Sequence, residues 1–166
     1  MVEYPIAELP LRQGTLGISA LPGRTGFYEH DLSAILAWGA DLVLTMTVTE
    51  ELVYGDASTL GADLEAAGVI WHHLPIPDMG APPPETEARW PDASAAAHDL
   101  LKRGGRVLAH CYGGCGRSGM ALVRLMVEAG EEAEAALQRL RRVRPCAVET
   151  PEQLDWAARG RGHGQD

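Results

Sequence analysis

Short apolar runs alternate with segments of helical periodicity along this chain. The runs that predict β-strands lie at 16–22, 41–47, 69–74 and 106–110. The segments that predict helices lie at 31–38, about 56–67, 92–102, 120–127, 131–142 and 151–158. Because strands and helices alternate, we expect a single α/β domain with a mostly parallel central sheet and helices on both of its faces.

A glycine-rich segment joins the last predicted strand to the helix that follows it. It reads HCYGGCGRSG at 110–119. Glycine lets the backbone curl, so that successive N–H groups point inward and meet the amino end of the helix. The segment therefore predicts an anion-binding loop that fits a phosphate group.

Cys111 and Arg117 stand at the two ends of this loop, with five residues between them. Arg117 can grip two phosphate oxygens with its planar fork, and the same positive surroundings favour the thiolate of Cys111. Attack of that thiolate on phosphorus would form a phosphocysteine intermediate. We expect Ser118 to donate a hydrogen bond to the sulfur and His110 to orient the loop. The expected phosphate-binding residues are Tyr112, Gly113, Gly114, Cys115, Gly116 and Arg117.

This loop resembles the Cys-x5-Arg-Ser/Thr signature of the cysteine-dependent protein phosphatases. The wording is most similar to the dual-specificity branch, in particular the cyclin-dependent-kinase-associated phosphatase group, and the resemblance extends over about 15–158. It implies a protein-tyrosine-phosphatase-like fold and hydrolysis of phosphotyrosine and phosphoserine or phosphothreonine in a protein or peptide, without a cofactor. The segment 147–153 resembles the family's late water-positioning segment, which implies Gln153 as the residue that orients the hydrolytic water, with Glu149 as the alternative.

Two aspartates that follow prolines compete as the general acid. Asp92 stands in a Trp-Pro-Asp string by which tyrosine phosphatases carry their acid, but it precedes an alanine-rich run and is expected to cap a helix there. Asp78 follows a predicted strand in a loop whose Gly80 can act as a hinge, and its larger separation from Cys111 resembles the family pattern. We therefore favour Asp78 as the proton donor and keep Asp92 as the alternative. Glu50 is expected to be an exposed carboxylate at a helix start. The less favoured alternative is that its side chain faces the site.

The other two cysteines, Cys115 and Cys146, are expected to be separate small thiols, although either one is able to trap an oxidised Cys111 as a disulfide. A cysteine at position 115 departs from the family pattern. Three cysteines in a chain of 166 residues do not form a disulfide framework, and a nucleophilic thiol needs a reducing compartment. We therefore expect a cytoplasmic protein.

Composition limits the remaining possibilities. With 166 residues, of which 46% are hydrophobic, the chain suits one domain at 1–158, followed by a flexible tail at 159–166. The net charge of −9 disfavours nucleic acids and anionic membranes as partners, and no signal peptide or membrane-spanning run is visible. The expected partner is a phosphorylated protein or peptide, and the expected oligomeric state is a monomer.

Two other functions compete with a phosphatase. A rhodanese-like sulfurtransferase also places a cysteine in a curled strand-to-helix loop, and a non-catalytic phosphoresidue-binding module would keep the loop without turnover. The Arg-Ser-Gly exit of the loop and the Asp78 segment favour a phosphatase. Because Arg117 is the one cationic residue of the loop, a phosphomonoester on a protein is favoured over inositol phosphates. No residue pattern predicts a metal site.

Overall fold

The structure is a computed structural model in which residues 3–160 are described. In these residues a five-stranded sheet has the order β1-β2-β5-β3-β4. The strands are β1 Ala7–Leu11, β2 Gly14–Ser19, β3 Leu42–Thr45, β4 Ile70–His73 and β5 Arg106–His110. Strand β1 pairs antiparallel with β2, and the other neighbours pair in parallel. The prediction of a mostly parallel α/β sheet is confirmed.

Strand β1 was not predicted, and the sheet therefore opens one hairpin earlier than the sequence indicated. Its Pro10 argues against a central strand, but β1 lies at the edge of the sheet, where a residue without an N–H group is tolerated. Arg12 turns the chain between β1 and β2 with a φ of 54°.

Seven helices are present within residues 3–160. They are α1 Tyr28–Trp38, α2 Thr49–Tyr54, α3 Leu60–Ala66, α4 Pro84–Lys102, α5 Gly116–Glu128, α6 Ala133–Val143 and α7 Pro151–Ala158. Helix α2 was not predicted, and α4 begins eight residues before its expected start. In the described part of the chain no helix combines the length and the apolar character needed to cross a membrane. Gly160 is buried, and the rest of the predicted tail, 161–166, lies outside the described residues.

The two faces of the sheet are covered by different helices. Leu42 and Leu44 of β3 face the larger core, which also contains side chains of α4, α5, α6 and α7. Val43, between them, faces a smaller core built from α1, α2 and α3. This alternation follows from the period of two along a strand, and it confirms the expected helices on both faces.

The carboxyl ends of four parallel strands meet at one edge of the sheet. Ser19 of β2 and Thr45 of β3 are both in register with His110 of β5, and Thr45 is in register with His73 of β4. The segments after these strands therefore converge, and they include the glycine-rich loop at 111–115. In parallel sheets this edge is where ligands bind.

Candidate active site

The glycine-rich loop leaves β5 and curls directly into the amino end of α5. Gly114 has a φ of +73°, and a Cβ atom on it would lie 2.6 Å from the carbonyl carbon of Ser19. Only glycine fits this position, because the backbone approaches β2 closely and turns left-handed. The first N–H groups of an α-helix have no partner inside the helix, so α5 presents free donors at the loop.

Cys111 is a free thiol that is buried with 2% of its surface exposed. Its Sγ lies 3.2 Å from the Oγ of Ser118, which is itself fully buried on the first turn of α5. A hydroxyl at this distance can donate a hydrogen bond to a thiolate and stabilise it as a leaving group. The structure thus brings the two residues together as the sequence indicated.

Arg117 is held in a fixed orientation by a carboxylate from another part of the chain. Its Nη1 donates to Oε1 of Glu51 at 2.6 Å, its Nη2 donates to Oε2 at 2.7 Å, and Nη1 also donates to the carbonyl of Ile76 at 2.8 Å. Burial alone would lower the pKa of Arg117, but the hydrogen bonds to Glu51 and the charge of Cys111 raise it above its ordinary value. The guanidinium is therefore fixed and charged before a substrate arrives.

Glu51 is a site residue that the sequence analysis missed, since it considered the adjacent Glu50. The structure shows Glu50 exposed, whereas Glu51 lies one position further along α2 and reaches Arg117. Burial raises the pKa of Glu51, but the hydrogen bonds from Arg117 outweigh that effect and lower it. The backbone N–H of Val48 also donates to the carboxylate, at 3.1 Å. The sequence analysis placed Glu50 at a helix start but predicted no helical segment there, so it did not indicate the pairing of Glu51 with Arg117.

Asp78 lies at the rim of the same site. Its Oδ1 is 3.3 Å from Nη2 of Arg117, and its side chain is 71% exposed. The next residue, Met79, has a φ of +66° and donates its backbone N–H to the same carboxylate oxygen at 3.0 Å. An exposed carboxyl at this position beside Arg117 can protonate the leaving oxygen of a group bound at the loop.

Asp92 has a different environment from the one the sequence indicated. Helix α4 begins at Pro84, so Asp92 lies inside the helix and the expectation that it caps a helix is wrong. The helix continues through Pro91 because Trp90 on its inner face is anchored in the core, where its Nε1 donates to Glu128 at 2.9 Å. Asp92 is exposed, and the structure ties it to none of the loop residues.

His110 is fully buried at the end of β5, beneath the loop. Burial lowers its pKa to about 4, so the ring is neutral near pH 7. Its Nε2 lies 2.7 Å from Oγ1 of Thr45, which accepts a hydrogen bond from Trp71 at 2.8 Å. The hydroxyl proton of Thr45 is thereby available for Nε2, and the ring proton falls on Nδ1, which faces the carbonyl of Cys111 at 3.4 Å. This chain of contacts connects β3 and β4 to the backbone of Cys111.

Gln153 is fully buried at the start of α7. Its Oε1 accepts from the backbone N–H of Glu149 at 2.8 Å and from that of Thr150 at 3.3 Å, while its Nε2 donates to the carbonyl of Gly80 at 3.2 Å. A Cβ atom on Gly116 would lie 2.8 Å from its Oε1. Gln153 therefore links α7, the loop of Asp78 and the phosphate-binding loop. The side chain of the exposed Glu149 reaches the same position over Gly116.

Cys115 and Cys146 form a disulfide, so the expectation of separate thiols is wrong. The segment between α6 and α7 that carries Cys146 also holds the outer side of the loop in other ways. Arg144 donates to the carbonyls of Gly114 and Gly113 at 2.9 and 3.0 Å. Helices α5 and α6 form a hairpin that returns the chain to the loop. The spacing of Cys115 and Cys146 along the sequence does not indicate that they meet.

In the part of the chain that the structure describes, no group of three or more His, Cys, Asp or Glu side chains lies close enough to hold a metal ion. His73, which the sequence placed on a strand, lies with Nε2 2.7 Å from the carbonyl of Thr47.

Comparison with known proteins matches residues 20–131 to a family described as "Polymorphic toxin system, DSP-PTPase phosphatase". Cyclin-dependent kinase inhibitor 3 of Mus musculus is 30% identical over 149 residues, which cover 85% of this chain and 69% of the relative. Kinase-associated phosphatase with its catalytic-site cysteine substituted by serine superposes with a TM-score of 0.82 at 25% identity, over 95% of this chain and 93% of that chain. Tk-PTP in its active form superposes with a TM-score of 0.65 at 34% identity, over 85% of this chain and 87% of that chain.

The family match and the relatives identify the class of protein. They confirm the resemblance to the dual-specificity branch, and they favour a phosphatase over a sulfurtransferase or a non-catalytic binding module. The chain belongs to the DSP-PTPase phosphatase family and is a cysteine-dependent protein phosphatase.

Proposed function

We propose that this protein hydrolyses phosphotyrosine and phosphoserine or phosphothreonine in phosphorylated proteins through a covalent phosphocysteine on Cys111. The observation that carries the proposal is the buried free thiol at the start of a glycine-rich loop, with Arg117 held ready at the loop's end by Glu51. No cofactor is required for this chemistry.

In the first step the thiolate of Cys111 attacks phosphorus, an S–P bond forms and the P–O bond to the substrate side chain breaks. Asp78 gives its proton to the leaving oxygen. The loop N–H groups and Arg117 hold the charge on the equatorial oxygens, which is the main electrostatic contribution in phosphoryl transfer. His110 keeps the backbone of the nucleophile in place.

In the second step water attacks phosphorus, the S–P bond breaks and inorganic phosphate leaves. Asp78, now ionised, takes the proton of the water, and Ser118 stabilises the departing thiolate through the 3.2 Å contact. We assign the orientation of the water to Gln153, whose position against Gly116 supports this role. Glu149 is the alternative, because it reaches the same position.

Under this proposal the enzyme acts as a monomer. It works in the cytoplasm, because a reducing compartment keeps the thiol of Cys111 reduced. The Cys115–Cys146 disulfide argues in the other direction, because disulfides persist in oxidising compartments. A phosphorylated protein is the proposed partner, and nucleic acids and membranes are not, given the net charge of −9.

The test is hydrolysis of a small aryl phosphate by the purified protein in excess metal chelator. We expect an undiminished rate, and no rate from Cys111→Ser at the same concentration. Activity that disappears with chelator and returns with a divalent cation would overturn the cysteine mechanism. Sulfur transfer from thiosulfate to cyanide without phosphate release would support the sulfurtransferase, and phosphopeptide binding without turnover would support the binding module.

A further inference from the structure

Arg24 lies on the turn between β2 and α1, at the edge of the sheet where the active site forms. Its backbone N–H donates to the carbonyl of Leu21 at 3.2 Å, and Leu21 in turn donates to the carbonyl of Tyr112 at 3.1 Å. Gly23, with a φ of +89°, donates to Oδ2 of Asp31 at 2.8 Å. The turn is thus tied to the phosphate-binding loop on one side and to α1 on the other.

The side chain of Arg24 stacks on the residue that follows the nucleophile. Its guanidinium carbon lies 5.1 Å from the centre of the Tyr112 ring. A guanidinium over an aromatic face within about 6 Å gains a cation–π attraction and loses part of its freedom. Tyr112 directly follows Cys111, so this stack holds a positive charge on the residue next to the proposed nucleophile.

Among residues 3–160, three arginines lie in or against the loop segment, and their surroundings differ. Arg117 is buried and paired with Glu51, and Arg144 gives its Nε and Nη2 donors to loop carbonyls. Arg24 is exposed, and among residues 3–160 no carboxylate forms an ion pair with it. It therefore presents guanidinium donors to an incoming group.

The rest of the site gives an acidic substrate little support. Glu51 compensates the charge of Arg117, Asp78 stands at the rim, and the chain carries a net charge of −9. A second negative group on the substrate is attracted by the guanidinium of Arg24 and repelled by the carboxylate of Asp78. Successive residues of an extended peptide are about 3.3–3.6 Å apart, so the candidates for contact with Arg24 are side chains within a few positions of the phosphoresidue.

We propose that Arg24, held on Tyr112, binds the carboxylate of an acidic residue that flanks the phosphorylated residue. The enzyme thereby selects phosphopeptides with Asp or Glu on one side of the phosphoresidue. This specificity rests on the proposed phosphatase function, and it adds a substrate class to it.

The experiment compares two phosphopeptides that differ only in carrying Glu or Gln at the three positions on each side of the phosphoresidue. We expect a lower KM and a similar kcat for the Glu peptide, with an advantage in kcat/KM of about two- to fivefold, as for an exposed ion pair. The advantage should shrink in high salt, because exposed charges are screened. Arg24→Ala should lose it, Arg24→Lys should keep part of it, and Arg24→Glu should reverse it.

Arg142→Ala is the matched control, because Arg142 is an exposed arginine on α6 and should leave the preference unchanged. The Tm of each variant checks its folding. Equal kcat/KM for both peptides in the unmodified enzyme, or an undiminished preference in Arg24→Ala, would overturn the proposal.

The same peptide pair is also measured by binding to the Cys111→Ser variant, with and without Arg24→Ala. This arm needs no turnover, so it separates the two proposals. If the enzyme fails to hydrolyse aryl phosphate but Cys111→Ser binds the Glu peptide more tightly through Arg24, the proposed function fails and the inference about Arg24 stands. If hydrolysis succeeds without an Arg24-dependent preference, the reverse is true.

Discussion

The double substitution Cys115→Ser/Cys146→Ser should destabilise this protein while leaving most of its activity. Cys115 belongs to the loop expected to bind phosphate, but its side chain and that of Cys146 are bonded to each other, and this disulfide links the loop to the segment that precedes α7. Serine at both positions removes the link without leaving a reactive thiol. Chemical reduction of the native protein also breaks the disulfide, but the reductant acts on the thiol of Cys111 as well, so the double variant is the cleaner test.

The size of the effect follows from the chain that the disulfide closes, which has a sequence separation of 31 residues. Closing a loop of this length removes unfolded-state entropy equivalent to roughly 3–4 kcal/mol at 25 °C. For a domain of this size each kcal/mol corresponds to about 2–4 °C in Tm, so the variant should melt roughly 6–15 °C lower.

Activity should change much less than stability. Arg144 still donates to the carbonyls of Gly113 and Gly114, and the N–H of Val148 still donates to the carbonyl of residue 115 at 3.1 Å. These contacts keep the loop carbonyls turned outward in the native state. We expect kcat/KM for an aryl phosphate to stay within about threefold of the unmodified enzyme at a temperature where both are folded, since such distributed hydrogen bonds contribute about 1 kcal/mol each.

Thermal unfolding and thiol titration together test this reasoning. When the unsubstituted protein is denatured without reductant, it should show one reactive thiol, that of Cys111. The double variant should also show one. Cys111→Ser is the control and should show none. Three reactive thiols in the native protein, or an unchanged Tm in the double variant, would refute the disulfide. A loss of activity as large as that of Cys111→Ser would refute the role assigned to the remaining contacts.

Further predictions concern the catalytic residues. Cys111→Ser should lower kcat by at least about a thousandfold, as removal of other catalytic nucleophiles does, yet the variant should still bind vanadate. Arg117→Lys should weaken both turnover and vanadate binding. Steady-state kinetics measure the first effect, and calorimetry with vanadate measures the second. Asp78→Asn should reduce the rate for phenyl phosphate by about 10²–10⁴-fold and much less for an activated aryl phosphate, while Asp92→Asn should change neither; a leaving-group-dependent defect confined to Asp92→Asn would reverse this assignment. Because the pKa of Glu51 is lowered in the fold, the ionised carboxylate stabilises the protein fully above the ordinary pKa of glutamate, and this stabilisation is lost as pH falls through the lowered value. Glu51→Gln should therefore reduce Tm at pH 7 and make Tm fall less steeply as the pH is lowered. Parallel profiles of Tm against pH for the two proteins would contradict this.

Local sequence patterns were sufficient for the class of the fold and the core of the site. Four parallel strands and most helices could be predicted because apolar periodicity and capping residues act over a few neighbouring positions. The phosphate-binding loop was equally accessible, since Cys111, the glycines, Arg117 and Ser118 occupy one continuous segment whose geometry follows from a strand-to-helix turn.

The errors share a physical cause. The Pro91-Asp92 step was interpreted as a helix start, but the burial of Trp90 on α4 outweighed that local preference, and β1, which contains Pro10, was not predicted because a proline is tolerated only at the edge of a sheet. A proline inside a helix costs about 3 kcal/mol, and burial of one large side chain returns about 1.5–3 kcal/mol, so several buried residues of α4 together outweigh the cost of Pro91. Tertiary packing therefore decided where these elements begin and end.

By itself, the sequence determined the four parallel strands, most of the helices and the curled loop that carries Cys111, because each of these depends on residues that are adjacent in the chain. Only the tertiary structure decided which distant groups complete the site. Glu51 meets Arg117 across 66 positions, and Cys146 meets Cys115 across 31. Such pairs arise where parallel strands end at one edge of the sheet and where the α5–α6 hairpin returns the chain, and no local pattern records either meeting.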